Sequence, residues 1–90
     1  MSPTVGAQVG LAAALGRAFG PERGLAVLDA MPGALVASYQ PYHATRAALL
    51  SEGHDPRAEE AYELALGLTE DPAVRRFLAR RRDALRVRAT

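Results

Sequence analysis

The feature that most constrains the fold of this chain is a spacing of 34 residues between similar side chains. The pairs that share this spacing are Leu15 and Leu49, Gly24 and Ala58, and Leu28 and Tyr62. A period of this length is typical of helix–turn–helix repeats, in which one hairpin of helices cannot bury its apolar face alone. The spacing therefore predicts that the 90 residues form an all-α fold of stacked helical hairpins.

Prolines divide the chain into five predicted helices. Proline is favoured at the first helical position because the N–H group that it lacks would have no partner there. Five dipeptides place a proline after a cap residue: Ser2-Pro3, Gly20-Pro21, Gln40-Pro41, Asp55-Pro56 and Asp71-Pro72. They predict helices over about 3–18, 21–31, 41–52, 56–68 and 72–87, with a linker at 32–39 that could hold a short turn.

The second predicted hairpin follows the tetratricopeptide (TPR) pattern most closely. Tyr42 stands where the large aromatic of the first helix belongs, Leu49 follows it, and Gly53 is the expected stop. The second helix has the small–large–small series Ala58, Tyr62 and Ala65. The first hairpin is more degenerate because Gln8 replaces the aromatic residue. We predict a single TPR-like domain over 1–90, with hairpins at about 3–31 and 41–68 and a capping helix at about 72–87.

The amino-acid composition excludes several classes of functional site. The chain has no cysteine, which excludes disulfides, thiolate metal sites and a cysteine nucleophile. The two histidines have no clustered carboxylates around them, and the three glutamates of the helix at 56–68 are expected to form a solvated face; these residues are His43, His54, Glu59, Glu60 and Glu63. We therefore expect no metal, no cofactor and no enzymatic activity.

The N-terminus and the hydropathy pattern favour a cytoplasmic protein. No apolar run approaches the roughly 18–20 residues of a membrane span. The segment after Met1 has no basic region, which is not typical of a signal peptide. We therefore expect no membrane association.

Charge is distributed unevenly along the chain. Residues 1–71 carry four arginines and nine acidic residues, whereas residues 72–90 carry seven arginines and one acidic residue, Asp83. The last helix is thus predicted to be a basic element on an acidic body.

Several segments resemble one known family. The stretches 39–50, 60–69 and 71–81, together with 2–5 and 20–30, are similar to the C-terminal domain of extracytoplasmic-function (ECF) RNA polymerase sigma factors. The resemblance implies a TPR-like extension that regulates sigma activity through contacts with RNA polymerase or sigma-factor regions. The chain has no counterpart of the DNA-binding sigma regions, so we expect no sequence-specific DNA binding. We expect either a fragment or a free-standing relative of that extension.

The first and third helices are predicted to line a concave binding face. The first candidates for contact with a partner are Gln8, Ala12, Thr45 and Arg46. His43 and Arg46 could also form a polar patch that grips a peptide carboxylate. The alternative is that His43 satisfies a nearby backbone carbonyl and Arg46 pairs with an acid of the next helix. For His54, which follows Gly53, we expect a cation at the helix C-terminus.

Arginines of the last helix form the second candidate surface. At 100° per residue, the arginines at one side are Arg75, Arg82 and Arg86, with Arg76 and Arg80 beside them. The apolar residues Val74, Phe77, Leu78 and Leu85 lie opposite, and Arg81 within that stripe must snorkel or pair. The arginine side is predicted to bind an acidic partner; the alternative is solubility together with a favourable interaction with the helix dipole.

Two functional hypotheses follow from these patterns. The first is a protein–protein interaction module tied by resemblance to sigma-factor regulation, with activation and repression both open. The alternative is a self-associating structural helical domain, a homodimer through exposed apolar ends, with no sigma-related role. Phe19 and Met31 are predicted to pack in the core or within a hairpin; the alternative is a hydrophobic groove for a partner helix, which would use the same kinds of residue.

Overall fold

Every regular element that the structure describes is an α-helix. The computed structural model describes residues 4–89. Its helices are α1 (Val5–Phe19), α2 (Pro21–Asp29), α3 (Gly33–Val36), α4 (Gln40–Glu52), α5 (Ala58–Gly67) and α6 (Pro72–Ala89). Because these residues contain no strand, the predicted all-α class is confirmed. The short helix α3 lies in the predicted linker, so the described chain has six helices where five start signals were found.

Side-chain caps fix where α1 and α6 begin. Thr4 Oγ1 accepts a hydrogen bond from the Ala7 N–H at 3.0 Å, and α1 begins one residue later; the predicted cap at Ser2-Pro3 lies outside the described residues. At α6, Asp71 Oδ1 accepts from the N–H groups of Ala73 and Val74 at 2.9 and 3.3 Å. These bonds satisfy donors that have no partner within the helix.

The starts of α4 and α5 differ from the predicted starts by one or two residues. Helix α4 begins just before Pro41, with Tyr39 as its cap. Helix α5 begins at Ala58, because Asp55 Oδ1 accepts from the Arg57 N–H at 2.9 Å and closes a turn first. After α4, the left-handed conformation falls on His54 (φ 56°), whereas Gly53, the expected stop, has φ −83°.

Helix pairs pack in succession along the chain. Helix α1 packs against α2 and α4 against α5, and the two pairs meet where α4 contacts both α1 and α2. Helix α6 then packs against α5. The result is a slab that measures 45 × 30 × 19 Å.

Two apolar clusters form the core. The first joins α1, α2, α3 and α4 through Val9, Ala12, Leu28, Met31, Val36 and Leu49. The second joins α4, α5 and α6 through Ala47, Leu50, Ala58, Ala61, Tyr62, Ala65, Leu66 and Leu78. Leu25 packs against both clusters. Two of the three pairs at the 34-residue spacing are buried at both positions, whereas Leu15 is half-buried and Leu49 is buried.

Glycine permits a close approach where α1, α2 and α4 meet. A Cβ on Gly24 would lie 2.5 Å from the Ala12 carbonyl oxygen and 2.8 Å from Leu49 Cδ1. A Cβ on Gly16 would also collide with the Leu49 side chain. The absence of side chains on the two glycines therefore makes the space that Leu49 fills.

The two predicted hairpin-packing residues have different outcomes. Met31 is buried at 7% exposure, as predicted. Phe19 is 64% exposed, so its predicted place in the core is wrong. Phe19 is the last residue of α1, and its ring carries the Arg23 guanidinium 5.2 Å from the ring centroid.

Candidate binding groove

A groove runs along the partly exposed side of α4, between α1 and α6. Its first part, of about 300 Å³, lies between α1 and α4 and is lined by Ala13, Arg17, Ala44, Thr45, Ala48 and Glu52. Its second part, of about 340 Å³, lies between α4 and α6 and includes Ala48, Glu52, Tyr62, Arg81, Ala84 and Arg88. Because Ala48 and Glu52 border both parts, they form one surface, which we call the α4 groove.

Alanines make the floor of the α4 groove shallow and apolar. Ala44 and Ala48 are one turn apart on α4, while Ala13 and Ala84 face them from α1 and α6. Methyl groups leave room for the side chains of a bound segment, and their apolar surface is stabilised when a partner covers it. The α4 groove can therefore accept an extended segment or a helix.

Arginines on both walls give the α4 groove a positive charge. Arg17 stands on the α1 side and Arg81 and Arg88 on the α6 side, against Glu52 on α4. The Arg81 guanidinium lies 5.3 Å from the ring centroid of Phe77, so the residue expected to snorkel or pair stacks on a ring instead. Such a surface favours acidic segments and accelerates their encounter at low salt.

Arg88 contacts His54 at the end of the groove. Arg88 Nη2 lies 2.8 Å from His54 Nδ1. The contact joins the end of α6 to the turn after α4. The cation that the sequence predicts at the end of α4 stays a prediction.

A wider cleft of about 560 Å³ continues past this contact, with Ser51, His54, Asp55 and Arg88 among its lining residues. Asp55 is committed to Arg57, whose Nε and Nη2 donate to its two carboxylate oxygens at 3.0 and 2.8 Å. These bonds lower the pKa of Asp55 from 3.8 to about 2. Within residues 4–89, the hydrogen bond between Ser51 and His54 runs from the His54 N–H to the Ser51 carbonyl oxygen at 3.0 Å, and none joins the Ser51 hydroxyl to the His54 ring. The cluster thus lacks the nucleophile–base contact of covalent catalysis.

Of the residues predicted to line the concave face, Thr45 borders the α4 groove. Ala12 is fully buried beneath Gly24, so its side chain cannot reach a partner and we remove it from the candidates. Gln8 is half-buried on α1 and does not border the groove.

His43 and Arg46 also lie outside the α4 groove. His43 Nε2 is 3.1 Å from the Ala37 carbonyl oxygen, which confirms the alternative that it satisfies the backbone. Arg46 makes no ion pair with an acid of α5 among the described residues, so the alternative for Arg46 is wrong. Its charge instead contributes to the low pKa of Asp55, in the loop before α5.

Three of the five arginines predicted on the arginine side of α6 make contacts inside the fold. Arg75 Nη1 donates to the Leu66 and Thr69 carbonyl oxygens at the end of α5. Arg82 and Arg86 pair with glutamates of α5, and the bond between Arg86 and Glu59 raises the pKa of Arg86. The predicted arginine side is therefore not a free surface, because the carboxylates of α5 already face it.

The same contacts correct the prediction for the acidic side of α5. Glu59 accepts from Arg86, and Glu63 Oε1 accepts from Arg82 and Arg86 at 3.3 and 3.0 Å. These two carboxylates thus join α5 to α6 and do not form a purely solvated face. Arg76 and Arg80, the other two predicted arginines, are exposed.

Sequence reasoning missed most of the residues that border the α4 groove. The spacing signals were present: Ala44 and Ala48 are four apart, and Arg81, Ala84 and Arg88 recur at three and four residues. Residues at these intervals share one face of a helix. The sequence did not reveal that these faces of α4 and α6 meet.

Comparisons with protein families, with curated proteins and with solved structures find no match for this chain. In the described part of the chain, no helix combines the length and the apolar character that crossing a bilayer requires. Residues 4–89 also contain no group of three histidine, cysteine or acidic side chains placed to hold a metal ion.

Proposed function

We propose that this chain is a non-catalytic protein–protein interaction module, a TPR-like stack that binds an acidic segment of a partner in the α4 groove. The observation that carries the proposal is a pair of adjoining clefts that share Ala48 and Glu52, with alanines on the floor and arginines on both walls. Paired apolar and basic surfaces of this kind suit a polypeptide that has both apolar and acidic side chains.

The packing order supports the repeat architecture. Each helix pair contacts its neighbour along the chain, as expected for an array of tandem hairpins. Tyr42 lies at the junction, with its hydroxyl 3.5 Å from the Leu28 carbonyl oxygen. Gly24 and Ala58, which are 34 residues apart, are both buried small residues.

The partner class is proposed from the resemblance to the C-terminal extension of ECF sigma factors. On that basis the groove binds RNA polymerase or a sigma-factor region, in the cytoplasm, and the role is regulation of transcription without sequence-specific DNA binding. The resemblance covers most of α4 and α5 and the first half of α6, which include the groove residues Ala44, Thr45, Ala48, Tyr62 and Arg81. Activation and repression are both compatible with such a contact.

A pair of substitutions tests both the groove and the partner. Ala48 is at the centre of the α4 groove, so Ala48→Glu places bulk and negative charge there; Ala26→Glu makes the same change on α2, outside the groove. Tagged wild type and both variants are used for capture from lysate, read by mass spectrometry. The proposal expects RNA polymerase or a sigma factor with the wild type and with Ala26→Glu, and its loss with Ala48→Glu.

Other outcomes of the capture separate the two parts of the proposal. Equal recovery with Ala48→Glu would contradict the α4 groove as the binding site. Loss of a different protein with Ala48→Glu would retain the groove and contradict the sigma-related role. Both variants must first show wild-type circular dichroism and thermal unfolding.

Self-association is the second candidate because large apolar side chains are exposed on the first helices. They are Leu11, Phe19 and Leu35, at 51, 64 and 60% exposure. Burying such residues against a second copy would stabilise a dimer. Light scattering over a wide range of protein concentration distinguishes the two candidate functions. A molecular mass that stays at the value of one chain would exclude self-association.

A further inference from the structure

The arginines of α6 fall into three groups according to what they contact. Arg75, Arg82 and Arg86 contact α5, and Arg81 and Arg88 border the α4 groove. The remaining two, Arg76 and Arg80, are exposed and make no hydrogen bond or ion pair within residues 4–89. At 100° per residue, they lie on the side of the helix opposite Leu78, which is buried against α5.

The contact between α5 and α6 shows how an arginine pair on α6 engages a helix. Arg82 and Arg86 are four residues apart, and so are the carboxylates that they meet, Glu59 and Glu63. Side chains at this interval lie one above the other on a helix face. Two helices can therefore align two arginines with two carboxylates without distortion of either.

Arg76 and Arg80 repeat this spacing on the outer side of α6. Phe77 lies between them in sequence and is 54% exposed, with the Arg81 guanidinium stacked on its ring. Asp83, one turn after Arg80, is already paired with Arg82 and Arg86 at 3.1 and 3.7 Å. The outer side thus presents two unmatched cations beside an exposed ring.

We propose that Arg76, Phe77 and Arg80, here called the outer α6 face, bind an acidic amphipathic helix of a partner protein. Two carboxylates four residues apart would pair with the two guanidinium groups, as Glu59 and Glu63 pair on the inner side. An apolar side chain of the same helix would cover Phe77. A nucleic-acid strand is less well matched, because stacking of successive bases needs more than one ring.

Phe77 lies beside Arg81, which borders the α4 groove, whereas Arg76 and Arg80 do not border it. A variant of Arg76 and Arg80 therefore tests this proposal separately from the groove. The probe is a synthetic, fluorescein-labelled alanine-based helical peptide that carries two glutamates four residues apart and a leucine one turn away. The control peptide has the same composition with the glutamates three residues closer together, at adjacent positions. Binding to the full chain is measured by fluorescence anisotropy at low and at physiological salt.

Two double variants of equal charge test the residues. Arg76→Gln/Arg80→Gln removes the outer pair, and Arg23→Gln/Arg46→Gln removes two arginines of α2 and α4 that lie outside it. The outer variant should weaken peptide binding about tenfold and Phe77→Ala about fivefold, whereas the control variant should change it less than about twofold. The affinity of the wild type should fall as salt rises.

Three results would overturn the proposal. The first is equal binding of the two peptides, since charge alone would then explain the affinity. The second is equal loss of binding in the two double variants. The third is tighter binding of a 20-base-pair DNA duplex than of the helical peptide, which would assign the outer α6 face to a phosphate backbone.

Discussion

The helix junctions at the two ends of the molecule are held by different kinds of contact. Where α1, α2 and α4 meet, Leu49 fills a space that exists because Gly16 and Gly24 have no side chains. Where α5 and α6 meet, the buried apolar contact of Leu78 is accompanied by exposed arginine–carboxylate pairs. The first junction is therefore steric and apolar, and the second combines apolar packing with exposed ion pairs.

The difference between the two junctions indicates which part of the chain can respond to its surroundings. A close-packed junction tolerates little change in volume and is insensitive to salt. Exposed ion pairs contribute little to stability and are screened by salt. We therefore expect α6 to open at lower free energy than α1, α2 and α4, and to be the helix whose position a partner can alter most easily.

The largest loss of stability is expected for Leu28→Ala, at the centre of the steric junction. Leu28 is fully buried, so truncation loses transfer free energy and leaves a cavity. We expect the free energy of unfolding to fall by about 3 kcal/mol, measured by urea denaturation. A loss below about 1 kcal/mol would mean that the first cluster is not the close-packed unit described here.

A smaller loss is expected for Gly24→Ala, because the new methyl group would collide with the Ala12 carbonyl and with Leu49. The expected cost is about 2 kcal/mol. Gly10→Ala is the matched control: a Cβ there has no neighbour within 4 Å, and alanine should stabilise α1 by about 0.5–1 kcal/mol. Thermal unfolding of both variants checks the pair, and equal shifts in the same direction would contradict the close approach at Gly24.

The ion pairs between α5 and α6 are tested by Glu63→Gln, since Glu63 meets both Arg82 and Arg86. Amide hydrogen exchange in α6 should become about threefold faster, with little change in α1 and α2. Glu60→Gln, on the same helix, is the control because Glu60 has no ion pair among the described residues. At 1 M salt the wild type and Glu63→Gln should exchange at similar rates, and a difference that persists would show that the contact is not electrostatic.

The smallest effect concerns the loop between α4 and α5 at acid pH. Arg57 lowers the pKa of Asp55 from 3.8 to about 2, so the stabilisation is present above pH 3.8 and is lost as the pH falls towards 2. Asp55→Asn should therefore be less stable than the wild type at neutral pH and equally stable near pH 2. Glu70→Gln is the control, because it removes one carboxylate outside this loop. An NMR titration of the Asp55 carboxyl with its midpoint near pH 3.8 would contradict the Arg57 contact.

Local signals predicted the helices well and the interfaces poorly. The caps and prolines at Gly20-Pro21 and Asp71-Pro72 placed the starts of α2 and α6 correctly, because capping depends on residues a few positions apart. The apolar pattern also identified buried positions such as Met31 and Tyr62. Phe19 was misassigned, because its position at the end of α1 leaves its ring beyond the packed part of the helix.

Residues of the binding surfaces were harder to predict. The sequence indicated Ala12 and Arg86 as contact residues, but Ala12 faces α2 and Arg86 faces Glu59. It did not indicate Arg17 or Arg88, which border the α4 groove. The burial of Ala12 and the pairing of Arg86 depend on how two helices are rotated relative to each other, which periodicity within one helix does not specify.

The all-α class, the approximate helix boundaries and the basic character of α6 follow from the amino-acid sequence, since each depends on neighbouring residues or on composition. Which charges are neutralised and which surfaces are free depends on the packing of the helices. Glu59 and Glu63 match Arg82 and Arg86 across the α5–α6 contact, whereas Arg76 and Arg80 have no such match. The physical reason is that a guanidinium pairs only with a carboxylate within a few ångströms, and packing of separate helices sets that distance.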